Sequence, residues 1–167
     1  SLALGYRRGA WRLETGYSLF AQKLGVMQSA QMGNEQLLQE RIRLGQPVDF
    51  TPFSRHIDYP FQQITHHNVY FKAFFDHEKI GHFAFQSTFQ QDNRRENRIR
   101  RLNHSDIPTV SLHLNSLQNS LVWNKGYQHW KSEAGAQLLI TDNTNERGTG
   151  VVPIIPNYTE VAFGLYA

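Results

Sequence analysis

Residues 64–92 read ITHHNVYFKAFFDHEKIGHFAFQSTFQQD, and their alternation decides the fold. Val69, Phe71, Ala73 and Phe75 fall on one side of an extended chain, and His66, Asn68, Tyr70 and Lys72 on the other. After a turn at about Asp76–Gly81, Phe83, Phe85, Ser87 and Phe89 share one side, while His82, Gln86, Thr88 and Gln90 take the opposite one. Successive strand side chains point to opposite faces, so a period of two predicts a hairpin that is apolar on one face and polar on the other. A soluble sheet lying over a core produces the same pattern. The polar side tips the reading. It carries a lysine and many amides along arms of about ten residues, the length at which a tilted strand crosses a bilayer. The expectation is a piece of a membrane barrel. On it, Val69, Phe71, Phe75, Phe83, Phe85 and Phe89 face lipid, and His66, Asn68, Tyr70, Lys72, Gln86 and Gln90 face the lumen.

Upstream, Leu2, Leu4 and Tyr6 alternate with Ala3, Gly5 and Arg7, and Arg8-Gly9 signals a tight turn. In the next arm Trp11, Leu13, Tyr17 and Leu19 oppose Arg12, Glu14, Ser18 and Gln22. Arg12 and Glu14 would be costly in a dry core and are at ease in a watery lumen. From Leu24 to about Gln63 the alternation stops, too long a stretch for an ordinary connection. Within it Asn34 can cap a short helix over 35–44, with Leu37, Leu38, Ile42 and Leu44 at helical spacing and Gly45 and Pro47 ending it. Such a helix is expected to pack the loop against itself.

Downstream of the central hairpin, residues 93–108 are polar and basic. Thr109–Asn124 reads as a further strand, with Val110, Leu112 and Leu114 on one parity and Leu117, Leu121 and Trp123 on the other. A switch of parity within one strand predicts a bulge near Asn115–Ser116. After a turn at about Lys125–His129, Ala134, Ala136, Leu138 and Ile140 alternate with Glu133, Gly135, Gln137 and Thr141. A third loop, DNTNERGTGVVPIIPN, leads to a strand in which Val161, Phe163 and Leu165 oppose Glu160, Ala162 and Gly164. The fold class is therefore all-β, an antiparallel up-and-down meander of about seven long strands. Its connections run short, long, short, long, short, long, as in outer-membrane barrels with tight periplasmic turns and long extracellular loops. Seven strands with a bare edge at each side leave backbone groups unpaired in lipid, so the meander is an arc of a larger transmembrane barrel.

Composition agrees with this and excludes little. The chain has 167 residues, a net charge of +3 and no cysteine, so a disulfide framework and thiolate metal sites are ruled out. That charge is too mild to argue for nucleic acid. No run of eighteen apolar residues forms a membrane helix. The chain opens on SLALGYRRGAW, already strand-like, so on the outer-membrane reading residue 1 is a cut end. Trp11, Phe75, Phe83, Trp123 and Trp130 gather near the proposed short turns, where a periplasmic aromatic girdle would lie.

Few constellations carry chemistry. His66 and His67 are neighbours on a strand and point to opposite faces, so they cannot chelate one ion together, and no metal or cofactor is expected. No Ser/His/Asp grouping or carboxylate pair stands in a catalytic pattern, so no enzyme is expected. Asn143-Thr144-Asn145 and Gly148-Thr149-Gly150 read as turn chemistry, since no helix start follows as a phosphate loop requires. Arg94, Arg95, Arg98, Arg100 and Arg101 form the densest charge. In an extracellular loop they are expected to meet lipopolysaccharide phosphates or an anionic ligand, which guanidinium pairs with bidentately, ahead of RNA.

The segments TGYSLFAQKLGVMQSAQMGN, IDYPFQQITHHNVYFKAFF, GHFAFQSTFQQDNRRE and DNTNERGTGVVPIIPNY, in that order, resemble the barrel of TonB-dependent outer-membrane receptors. YPFQQITHH and NTNERGTG…PIIPNY carry most of the likeness, and Asn97-Arg98-Ile99-Arg100-Arg101 departs from it. The resemblance implies that residues 1–167 are a partial receptor barrel, not closed and without a plug domain. The whole receptor, in the outer membrane of a Gram-negative bacterium, imports a ferric siderophore, haem, cobalamin or glycan. Its partners are then the imported ligand, with an iron chelate foremost, TonB acting through the plug, and outer-membrane lipid and lipopolysaccharide, with no nucleic acid. A soluble, lipocalin-like barrel binding a small apolar ligand is the alternative, natural at this length. In that case the same phenylalanines would line a cavity.

Overall fold

The structure is a computed structural model that describes residues 1–26, 35–45, 54–57, 60–97, 108–149 and 152–167, apart from the side chain of Leu37. Seven antiparallel strands form one open sheet in chain order: β1 (Leu2–Arg8), β2 (Trp11–Gly25), β3 (Phe61–His77), β4 (Gly81–Asn97), β5 (Val110–Gly126), β6 (Lys131–Asn145) and β7 (Tyr158–Tyr166). Every neighbouring pair is a hairpin. The short turns lie at Gly9–Ala10, Glu78–Ile80 and Tyr127–Trp130, and the long connections 26–60, 98–109 and 146–157 leave the opposite end. Gly9 and Gly81 have φ of 57° and 98°, the left-handed region that tight reversals need and that glycine enters without a Cβ clash. At the third turn the Tyr127 N–H donates to the Trp130 carbonyl at 2.8 Å and the two rings stack.

The helix α1 (Glu35–Leu44) forms where the spacing predicts it. Gly45 ends it at φ 64°, its N–H donating to the Arg41 and Ile42 carbonyls. Leu38, Ile42 and Leu44 are all exposed, so these apolar positions are not packed away as expected.

The register sorts the side chains into two faces. Trp11, Phe75, Phe83, Trp123 and Ala134 stand in one row across β2–β6. Tyr17, Val69, Phe89, Leu117, Ile140 and Val161 stand in another, six residues further along each strand. Between them this face is apolar except for Thr15, Ser87 and Asn119. The other face carries Glu14, Lys72, Gln86, Ser120 and Gln137 in a single row. All six residues expected to face lipid lie on the apolar face, and all six expected to face a lumen lie on the polar one.

Three expectations about the strands need correction. Asp142–Asn145 are not loop or turn residues but the end of β6, paired with Asn115–Leu112 of β5. β5 has no bulge, because its register with β4 and with β6 runs unbroken through Asn115 and Ser116. The parity of its apolar residues switches because Val110, Leu112 and Leu114 belong to the polar face and Leu117, Leu121 and Trp123 to the apolar one. The strand is continuous, and its apolar residues change face along it. Likewise β4 extends to Asn97, so Arg94 and Arg95 are strand residues, paired with Ile64 and Gln63, and not part of a loop.

Among the described residues no hydrophobic side chain is buried. The apolar band spans six strand spacings by about six residues, roughly 29 Å by roughly 20 Å, or on the order of 600 Å² in projection. That is at the upper limit for the largest apolar patch of a typical soluble monomer, before side-chain relief is counted. Among the described residues no helix is long and apolar enough to cross a membrane.

Candidate functional site

The apolar band ends sharply. One row beyond Val69 and Phe89, the same face carries His67, Gln91, Asn115 and Asp142, linked across the sheet by register. Each of these groups has a partner on a neighbouring strand. The Gln91 amide donates to Asn115 Oδ1 at 3.1 Å, Thr159 Oγ1 donates to Asp142 Oδ1 at 2.7 Å, and the Tyr17 hydroxyl lies 2.8 Å from His67 Nδ1. A further row holds Asn93 and His113, with His113 Nδ1 2.5 Å from Asn93 Oδ1. An aromatic row marks the opposite boundary. Trp11 and Phe75 pack with centroids 4.7 Å apart, Phe75 and Phe83 at 6.4 Å, and the Trp123 indole N–H donates to the Ile80 carbonyl at 2.6 Å. Tryptophan suits such a boundary, with an apolar body and one donor that needs a partner.

The polar face is built differently. Glycines 5, 16, 135 and 164 all stand on it. The rings of Tyr70 and Tyr166 lie across Gly16 and Gly135, their direct cross-strand partners, so that a Cβ at either glycine would overlap a ring. Charges pair locally. Arg12 Nε is 3.4 Å from Glu14 and its guanidinium lies 4.0 Å from the Phe74 centroid. His66 Nδ1 is 3.1 Å from Asp92 Oδ2, and His82 pairs with Asp76 at the turn end. His66 thus has a carboxylate partner on one face and His67 a phenol on the other, which is the opposed arrangement strand geometry requires.

At the long-loop end the polar face holds a cleft of about 260 Å³. Its floor is Val110 and Leu112 of β5, and its walls include Pro153 and Ile155 of the β6–β7 connection. Two asparagines of β6 pin that connection. Asn143 Nδ2 donates to the Pro156 carbonyl at 3.0 Å, and Asn145 Nδ2 donates to the Ile155 carbonyl and to Asn157 Oδ1, both at 2.8 Å. Arg94 and Glu96 stand at the rim. Arg94 Nε donates to Glu96 Oε1 at 2.8 Å, its Nη2 reaches the same oxygen, and the Gln62 amide donates there at 3.1 Å.

The structure divides the arginine cluster. Arg94 points to the polar face and to this cleft, Arg95 to the opposite face, and Arg98, Arg100 and Arg101 lie outside the described residues. Sequence reasoning missed the cleft, although the parity switch in β5 was its signal.

Comparison with protein-family models, with curated proteins and with solved structures finds no match for this chain.

Proposed function

We propose that the chain is an arc of an outer-membrane β-barrel belonging to a TonB-dependent receptor that imports a scarce nutrient, an iron chelate foremost. One observation carries the membrane part: an apolar face continuous over seven strands is covered by no other described element, opposite a face bearing paired charges and amides. Water would leave that band exposed, whereas lipid covers it at no cost to the backbone ladder. On β2 the band with Leu19 covers the nine residues Trp11–Leu19, within the roughly 9–11 with which a tilted strand crosses a bilayer. On β3–β6 it covers seven, between the aromatic and the amide rows. Leu165, Phe163 and Leu2 are 72%, 67% and 63% exposed on the same face, so the band continues to both edges of the sheet. Bare edges are intolerable in lipid, and further strands pair with β1 and β7. An outer-membrane barrel curls with the polar face inward, and Gly5 and Gly164 on that face add no side chain to the interior. The lipocalin-like alternative requires the opposite curl, with the phenylalanines inside.

The receptor part rests on the resemblance of the four segments and on connections that are all long at one end and short at the other. The barrel wall performs no covalent chemistry. It holds the lumen open and carries the outer loops, while energy arrives from the inner membrane through TonB. In iron-starved cells, deleting the gene should lower accumulation of radiolabelled iron chelate, and deleting TonB should lower it no further in that background. Chelate uptake through the protein that persists without TonB contradicts the reading.

A further inference from the structure

The cleft at the long-loop end is an apolar site built into a polar face. Val110 pairs with Glu96, and Leu112 pairs with both Arg94 and Asn145, so charged and amide neighbours surround two aliphatic side chains on the wet side of the sheet. Such residues there are not explained by burial under the sheet itself, since β5 runs straight through. The connection above them is held by asparagine side chains, not by an apolar core, and it presents Val152 and Ile154 at the mouth, 86% and 96% exposed. Holding aliphatic groups in water beside an aliphatic floor leaves apolar surface that a third body can cover.

The polar rim specifies the rest of that body. Glu96 occupies the Nε–Nη2 side of Arg94, and Gln62 fixes the carboxylate from below. Among the described residues Nη1 of Arg94 has no partner, and the side chain is 45% exposed. A guanidinium with one edge anchored and the other open is preorganised for an oxygen acceptor, best a carboxylate. The volume of about 260 Å³ is slightly below the roughly 300–1,000 Å³ of drug-sized pockets, and fits one ring or a short alkyl chain.

We propose that this cleft binds a small carboxylate with an apolar body, the body lying on Val110 and Leu112 and the carboxylate on the open edge of Arg94. The site is independent of whether the opposite face meets lipid, so it stands or falls separately from the membrane reading. The test is calorimetric titration of the full-length protein with 4-phenylbutyrate and with 4-phenylbutylamine, which differ only in the head group. The acid should bind at least about tenfold tighter than the amine. Arg94→Gln should reverse that order, because Glu96 then stands without its cation. Val110→Trp should abolish binding of both by filling the cleft. Absence of acid binding at about 1 mM, equal affinity for acid and amine, or binding indifferent to Val110→Trp overturns the proposal.

Discussion

The two ends of the same strands obey different rules. On the short-turn side of the row His67–Gln91–Asn115–Asp142, one face is almost wholly apolar and the other carries charges and amides. On the long-loop side that division is lost: Lys23, Gln63 and Arg95 stand on the formerly apolar face, while Ile64, Leu112 and Val110 stand among Arg94, Glu96 and Asn145 on the polar one. The backbone does not change at that row, since the ladders run through it unbroken. What changes is the kind of residue each face carries, and on the membrane reading that follows what each face has to meet. A strand pattern reports the medium on its two sides, residue by residue, and one strand can pass from one medium to another.

The largest effect should separate the faces within the apolar band. In the full-length protein refolded into vesicles, Phe85→Arg should cost about 2–4 kcal/mol, and Gln86→Arg less than about 1 kcal/mol. Denaturant titration measures both. Equal losses would mean that the apolar face is a soluble core or is covered by protein.

A smaller effect sharpens the picture of the polar face. Gly135→Val should cost about 1–3 kcal/mol because the new side chain displaces the Tyr166 ring. Removing the ring with Tyr166→Ala should relieve most of the added loss, so the two changes should be strongly non-additive. Additive losses would show that the close approach is not what limits this position.

Beyond the boundary row the effects become local. Asn145→Ala removes two side-chain hydrogen bonds to the β6–β7 connection, worth about 1 kcal/mol each. Global stability should hardly move, while proteolysis within 152–157 should accelerate about fivefold for each such bond lost. Unchanged proteolysis would mean that the pin does not hold the connection. The smallest effect belongs to the turn end, where Asp76 and His82 are 61% and 60% exposed. His82→Ala should change stability by no more than about 1 kcal/mol, read in the same titration.

Much of the fold is legible in the sequence because a half-covered strand leaves a period of two. Val69–Phe75 and Phe83–Phe89 state which side is apolar without any tertiary information. The helix over 35–44 is legible for a similar reason, since Gly45 closes it at the spacing helix ends require. Legibility fails where that period breaks down. Residues Asp142–Asn145 look like a loop because they are polar on both parities, yet they complete β6. Arg94 and Arg95 look like a basic loop for the same reason, yet β3 pairs with them. Val110, Leu112 and Leu114 imply an extra residue in β5 only if each face keeps one character along the whole strand, and these faces do not. The cleft was not legible as a unit. Arg94, Leu112 and Ile155 are distant in the sequence, and only the ladder register and the Asn145 pin bring them together.

The central claim is that lipid covers the apolar face. Residues 1–167 contain no cysteine, so in full-length protein with any cysteine elsewhere replaced by serine a single cysteine can be placed at Phe85 or at Gln86 and labelled with an environment-sensitive nitrobenzoxadiazole dye. With the full-length protein in vesicles containing chain-labelled nitroxide lipids, the dye at 85 should emit blue-shifted and be quenched, while the dye at 86 should emit as in water and resist quenching. The same environment at both positions, or quenching at 86 and not at 85, would contradict the account.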